Sequence, residues 1–296
     1  MIGPALGAFF AAAMAAALSA PADSHRAEWE SWRADRMTRL RREDGWLTLI
    51  GLFWLQEGDN SVGSDPASVV RLPAEKAPTK MGKIRLDAGR ISADFDPGAG
   101  VTSDGKSVSA MPLETDAGSA APTVLRHGQI SFYVIRRGDR LAVRVKDADS
   151  AARRSFQGTE TFPYDERWRI EARFEPYEPG RRIPMPNVLG AVEPAQTPGA
   201  LIFSWQGKSY RLDPVLEEGE TDLFVVFGDA TNGHETYGGG RFVYAGPAVN
   251  GKTILDFNRS YNPPCVFTPY ATCPLPPPQN RLPIRVEAGE KTWGEH

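Results

Sequence analysis

The chain has 296 residues, with 34 Lys or Arg against 37 Asp or Glu and a net charge of -3. A charged fraction of 24% beside 41% hydrophobic residues excludes a disordered tail protein, a collagen-like rod and a polytopic membrane protein. The near-neutral balance gives no electrostatic basis for nucleic-acid binding, and 29 glycines with 25 prolines favour many short strands over long helices.

Residues 1–22 carry no charged side chain, and Ala5 to Leu18 is an Ala-rich apolar run too short to span a bilayer. That run suits a signal peptide, with Ala20-Pro21-Ala22 supplying the small residues of a cleavage site and Asp23 opening the mature chain. The n-region has only its α-amino group as a positive charge, so an uncleaved leader or a weak anchor stays open. Export places the protein in the periplasm or outside the cell. Residues 23–43 then read as a helix. Trp29, Trp32, Arg36, Met37 and Leu40 recur at three- and four-residue spacing, and Ser24 can cap the start. A solvated helix packed by its tryptophans on a sheet is the expected role.

After Asp44-Gly45 the period changes. Trp46 to Leu55 is almost continuously apolar and reads as one or two buried strands joined near Gly51. Strand-like segments follow at 69–72, 83–86, 90–95, 108–111, 130–136 and 141–145, separated by turn pairs. Residues 44–150 therefore form one β-sandwich-like half. A polar connection over 147–164 leads into a second half, 151–296, with strands expected at 169–175, 183–189, 201–205, 208–212, 223–227, 241–244 and 253–257. Eight prolines between Tyr261 and Pro283 make the closing stretch an ordered loop, neither helix nor inner strand. The fold expected is mainly β: two β-sandwich-like halves, a short N-terminal helix and a proline-rich C-terminal loop.

Two resemblances bear on this reading. Trp54-Leu55 with Gly58, then Val62-Gly63-Ser64-Asp65, Gly100-Val101 and Asp104-Gly105-Lys106 resemble the strand-and-turn order of a forkhead-associated sandwich. That family reads phosphothreonine with an Arg directly after the Gly, where Ser64 stands here, so the likeness implies shape and not phosphopeptide recognition. A longer likeness is carried by residues 44–55, Gly63-Ser64-Asp65-Pro66, residues 136–140, 173–177 and 186–190, Glu235-Thr236-Tyr237-Gly238, Gly240-Arg241-Phe242, and Asp256-Phe257-Asn258-Arg259 onward to Pro283. Through these the chain resembles a bacterial domain-of-unknown-function family, number 1684. The resemblance implies a mostly β fold and brings no activity, cofactor or catalytic residue.

Both cysteines, Cys265 and Cys273, lie near the C-terminus, and in an oxidising compartment such a pair invites a disulfide. The spacing exceeds the CxxC of zinc or redox motifs, so no metal or cofactor is expected. Residues 256–273 hold the densest polar and aromatic group: Asp256, Asn258, Arg259, Tyr261, Asn262 and Tyr270 among prolines. Arg259 can fork onto an oxyanion, and Tyr or Asn can bond a sugar or amide; equally, Arg259 can pair with Asp256 inside the fold. A second cluster, Thr236 to Arg241 with Tyr237, offers three glycines for anion binding or for a tight turn, and Arg153 and Arg154 can face the same pocket. The expectation is a C-terminal pocket for a small anionic or sugar-like molecule, anchored by Arg241 and Arg259 and oriented by Tyr261 and Asn262. Two alternatives remain. One is a hydrolase, using either a Cys265–His234–Asp256 triad, which excludes the disulfide, or a Glu160–Asp256 carboxylate pair. The other is a cell-envelope interaction module.

Overall fold

The computed structural model describes residues 21–117, 121–217 and 219–294. Most of the expected leader lies outside them; its last two positions begin the helix Pro21–Leu40. Among the described residues, no helix is long and apolar enough to cross a membrane.

In the first half, two sheets share one apolar core. One is ordered Leu49–Trp54, Arg140–Asp147, Ile130–Arg137, Leu125–His127, Thr102–Ser103, Lys106–Ser107; the other Val70–Arg71, Gly58–Gly63, Gly82–Asp87, Arg90–Phe95, Ala110–Pro112. Alternate residues point inward, as strand geometry requires. Ile91, Ala93 and Phe95 meet Phe132, Val134, Val143 and Val145 there. Residues 46–55, read from sequence as one or two strands, form a single strand preceded by a turn of 3-10 helix, Trp46–Thr48. Its pairing shifts between Leu49 and Gly51, so Gly51 marks an irregularity rather than a hairpin.

The strand Arg140–Asp147 is buried on both faces. Leu141, Val143 and Val145 enter the core, while Ala142 and Arg144 face the second half. Across that junction, Thr268 Oγ1 donates to Leu49 O (2.9 Å) and Arg137 Nε to Thr272 Oγ1 (3.0 Å).

The second half is built on a four-stranded sheet, Lys208–Leu212, Gly199–Trp205, Arg169–Pro176, Lys252–Asp256, and on two hairpins, Arg182–Pro186 with Val192–Gln196 and Leu223–Phe227 with Arg241–Ala245. The latter hairpin is buried on both sides, which is why LFVVF reads as an unbroken apolar run. Val225, Phe227 and Val243 pack toward the sheet, and Phe224, Val226 and Phe242 toward the proline-rich segment. That segment contains only short 3-10 turns, Pro264–Val266 and Pro278–Asn280, as its prolines dictate.

Cys265 and Cys273 are joined by a disulfide, with Cα atoms 6.2 Å apart. The bond commits the Cys265 sulfur and removes the thiolate hydrolase considered above. Because the chain has only two cysteines, a reductant acts on this bond alone. Reduction is expected to lower the unfolding free energy by about 2.6 kcal/mol, from the entropy of the small loop closed. Urea unfolding with and without dithiothreitol measures the difference.

Candidate functional site

The N-terminal helix covers the proline-rich segment. Trp29, Arg36 and Leu40 are buried along one stripe, and Trp29 Nε1 donates to Asn258 O at 2.9 Å. An arginine on that stripe needs a counter-charge, since an unpaired buried charge is costly. Glu290 supplies it. The carboxylate accepts from Arg36 Nε (3.1 Å) and Nη2 (3.4 Å), Thr159 Oγ1 (3.2 Å) and the Asn262 backbone N–H (2.7 Å). Arg36 also donates to Asn262 O at 3.0 Å and lies 4.5 Å over the Tyr261 ring.

Around Arg36 opens a cleft with three adjoining lobes. The largest, about 570 Å³, is walled by Trp32, Arg39, Tyr244 and Tyr261 together with Glu217, Glu220 and Asp222. An inner lobe of about 270 Å³ is mostly aromatic, with Trp46, Phe224, Phe242 and Phe267 beside Asn262. A third, also about 270 Å³, runs along Arg39, Arg42, Asp44 and Trp46. The Tyr244 and Tyr261 rings are stacked, 6.3 Å apart and 12° from parallel, and Trp32 tilts toward Tyr261 at 6.4 Å. Such faces carry the negative side of the ring quadrupole.

The polar groups are pre-positioned. Tyr244 donates its hydroxyl to Glu217 Oε2 at 2.5 Å. Burial, with Tyr261 and Glu217 nearby, pushes the Tyr244 phenol well above its usual pKa, and burial pushes Tyr261 up to about 12. Both stay protonated at neutral pH. Asn262 is fully buried; its Nδ2 donates to Lys291 O at 2.6 Å, and its Oδ1 has no partner among the described residues. Glu217, Glu220 and Asp222 have no ion pair among the described residues.

Of the residues expected from sequence to line a pocket, only Tyr261 and Asn262 lie in this cleft. Arg241 has no exposed surface. It pairs with Asp229 at 2.7 Å and donates to the carbonyls of Val286 and Ala288, so it is enclosed rather than offered to an anion. Arg259 pairs with Glu28 (3.4 Å) and Asp256 (3.5 Å). Asp256 and Asn258 are structural: Asp256 caps the turn Phe257–Arg259, and Asn258 bonds the backbone of Asp165 in both directions. Burial raises the Asp256 pKa, against the hydrogen bonds from Asn258. Glu160, its suggested acid–base partner, is exposed and binds Lys291 through its backbone. Arg153 holds the end of the helix through Arg41 O (2.8 Å), Arg154 pairs with Asp149 at 2.8 Å, and Tyr270 is exposed. Tyr237 packs near Leu40 and Phe267. The three glycines make a tight turn. Gly240 has φ +88°, and a Cβ there would stand 2.4 Å from Pro276 and 2.6 Å from Phe227 O.

Sequence reasoning missed Trp32, Arg36, Trp46, Glu217 and Tyr244 as site residues. One signal was present: Arg36 falls in the apolar stripe of its helix, where a charge must have a partner.

Residues 154–291 match the family described as "Protein of unknown function (DUF1684)". That span includes Glu217, Tyr244, Tyr261, Asn262 and Glu290, and excludes Trp32, Arg36 and Trp46. Among solved structures, the chain is similar to the solution NMR structure of the uncharacterized protein from gene locus rrnAC0354 of Haloarcula marismortui. The identity is 32%, covering 49% of this chain and 81% of that one, with a TM-score of 0.41. No curated protein matches the chain. The second half of the chain thus carries a segment of the DUF1684 family of proteins of unknown function, residues 154–291.

Proposed function

We propose that the protein binds a small sugar-like ligand in the cleft between the N-terminal helix and the 223–245 hairpin. The observation that carries this reading is the stacked Tyr244–Tyr261 pair beside Trp32 in a lobe of about 570 Å³ whose rim bears Glu217, Glu220 and Asp222. Lobes of that size hold small molecules. Aromatic faces attract the positively polarised C–H groups of a pyranose, and unpaired carboxylates accept from its hydroxyls. Three carboxylates on one rim disfavour an anion in that lobe.

Export is part of the same reading, supported by the uncharged Ala-rich leader and by a disulfide of the kind oxidising compartments maintain. Intact mass of the protein from the cell envelope or medium tests it. Loss of the first 22 residues is expected, and a full-length cytosolic chain contradicts export.

The binding test is a thermal-shift screen of neutral and acidic monosaccharides on wild type and Tyr261→Ala. A ligand at one hundred times its Kd adds about 2.7 kcal/mol of stability. The shift is expected to vanish in the variant. A shift unchanged by the variant would place the ligand elsewhere.

A further inference from the structure

Positive charge is in excess beside Trp46, which lines the two smaller lobes of the cleft. Arg144 is 4% exposed, yet among the described residues it has no carboxylate partner; its one side-chain hydrogen bond there is Nη1 to Tyr133 Oη at 3.4 Å, and its Nε has no hydrogen-bond partner. Lys146, two residues along the same strand and on the same face, donates to Asp44 O at 2.5 Å and has no ion pair among the described residues. Burial lowers the Lys146 pKa, and the neighbouring Arg144 charge lowers it further. Both cations lie against the Trp46 ring, at 5.2 and 5.8 Å, and against Tyr133, at 6.0 and 5.8 Å.

This basic pair adjoins the cleft through Trp46. Trp46 lines both smaller lobes, and Asp44, whose carbonyl holds Lys146, lines the third lobe with Arg39 and Arg42. Of the nearby carboxylates, Asp44 is committed to Arg42 at 2.8 Å, Glu290 to Arg36, and Glu217, on the inner lobe, accepts from Tyr244. Arg144 and Lys146 are left without an ion-pair partner among the described residues, and exposed Arg39 stands beside Trp46 on the third lobe. Cation–π contacts offset part of that cost, but a buried guanidinium is normally satisfied by an oxyanion.

We infer that Arg144, Lys146 and Arg39, gathered around Trp46, form the seat for an oxyanion, so that the ligand is a sugar bearing one carboxylate or phosphate. The ring occupies the aromatic lobe and the oxyanion the basic end, the lobes meeting at Arg36. This inference rests on the sugar reading above for its ring and on the uncompensated cations for its anion.

The test is calorimetric titration of the full chain with glucose, N-acetylglucosamine, their 6-phosphates, glucuronic acid and inorganic phosphate. At least one anionic sugar is expected to bind tenfold or more tightly than its neutral parent. In Lys146→Met that ratio should fall to about one. Arg144→Met, scored only where circular dichroism shows a native fold, should do the same. Equal affinities for neutral and anionic sugars, unchanged by Lys146→Met, overturn the oxyanion seat and leave the sugar reading standing. Phosphate binding lost in Lys146→Met, with no sugar bound, keeps the seat and overturns the sugar reading. No binding of any probe overturns both.

Discussion

Replacing Asp229 by Asn is expected to destabilise the protein by about 3–5 kcal/mol, the usual consequence of leaving one partner of a buried ion pair uncompensated. Asp229 accepts from Thr231 N–H (2.7 Å), Thr231 Oγ1 (2.6 Å) and Arg241 Nη2 (2.7 Å), and both charged side chains are fully enclosed. Arg241 in turn ties down the carbonyls of Val286 and Ala288, with a longer contact to Glu290 O at 3.4 Å. The pair therefore fixes the final segment against the hairpin. The double variant Asp229→Leu/Arg241→Met should recover only part of the loss, because it removes the unpaired charge but orphans those carbonyls. Urea unfolding of the three variants measures this. A loss below about 1 kcal/mol in Asp229→Asn would mean that water reaches Arg241.

The second large effect is expected at Glu290. Its carboxylate is 1% exposed and is the common acceptor for Arg36, Thr159 and Asn262. In Glu290→Ala, Arg36 keeps its burial and loses its counter-charge, at a cost of about 3–5 kcal/mol. The consequence is also local. The N-terminal helix loses its central tie to the C-terminal segment, and protection of its amides from hydrogen exchange should fall to that of a frayed element. Removing Glu30, which pairs with Arg26 on the exposed face, should leave both stability and protection unchanged. Because Arg241 contacts the same 286–290 segment, the Glu290 and Asp229 effects should be non-additive. Independent effects would argue against a chain of positioning from Arg241 through Glu290 to the cleft.

The strands that the sequence discloses are short segments between turn signals, whether their burial alternates, as in Arg90–Phe95, or is unbroken, as in Leu223–Phe227. Arg90–Phe95, Lys208–Leu212 and Leu223–Phe227 fall where their patterns place them. Gly58–Gly63 was not legible because GDNSVG has no alternation and two glycines. Its edge is held by Asn60, whose side chain bonds the backbone of Gln56, Gly58 and Ile84. Val192–Gln196 was hidden by Pro194, tolerated because this strand pairs on one side only, with Pro194 opposite Pro184. The site was half legible for a related reason. Tyr261 and Asn262 stand in a run whose composition singles it out, but the cleft is completed by side chains from residues 32–46 and 217–244. Residues as ordinary as Glu217 and Tyr244 carry no local pattern. Arg241 misled for the opposite reason: glycines beside an arginine suggest an anion site, whereas here they permit close packing around Pro276.

The central claim, a sugar-binding cleft between helix and hairpin, is tested most directly by the indole N–H resonances of the seven tryptophans during titration with the tightest-binding monosaccharide of the calorimetric panel. Trp32 and Trp46 line the cleft, whereas Trp168 and Trp205 stack on each other in the second-half core and Trp54 lies under Arg140. The expected result is saturable shifts of Trp32 and Trp46, absent in Tyr261→Ala, with Trp54, Trp168 and Trp205 unmoved. Shifts confined to Trp54, or no shift at saturating ligand, would contradict it.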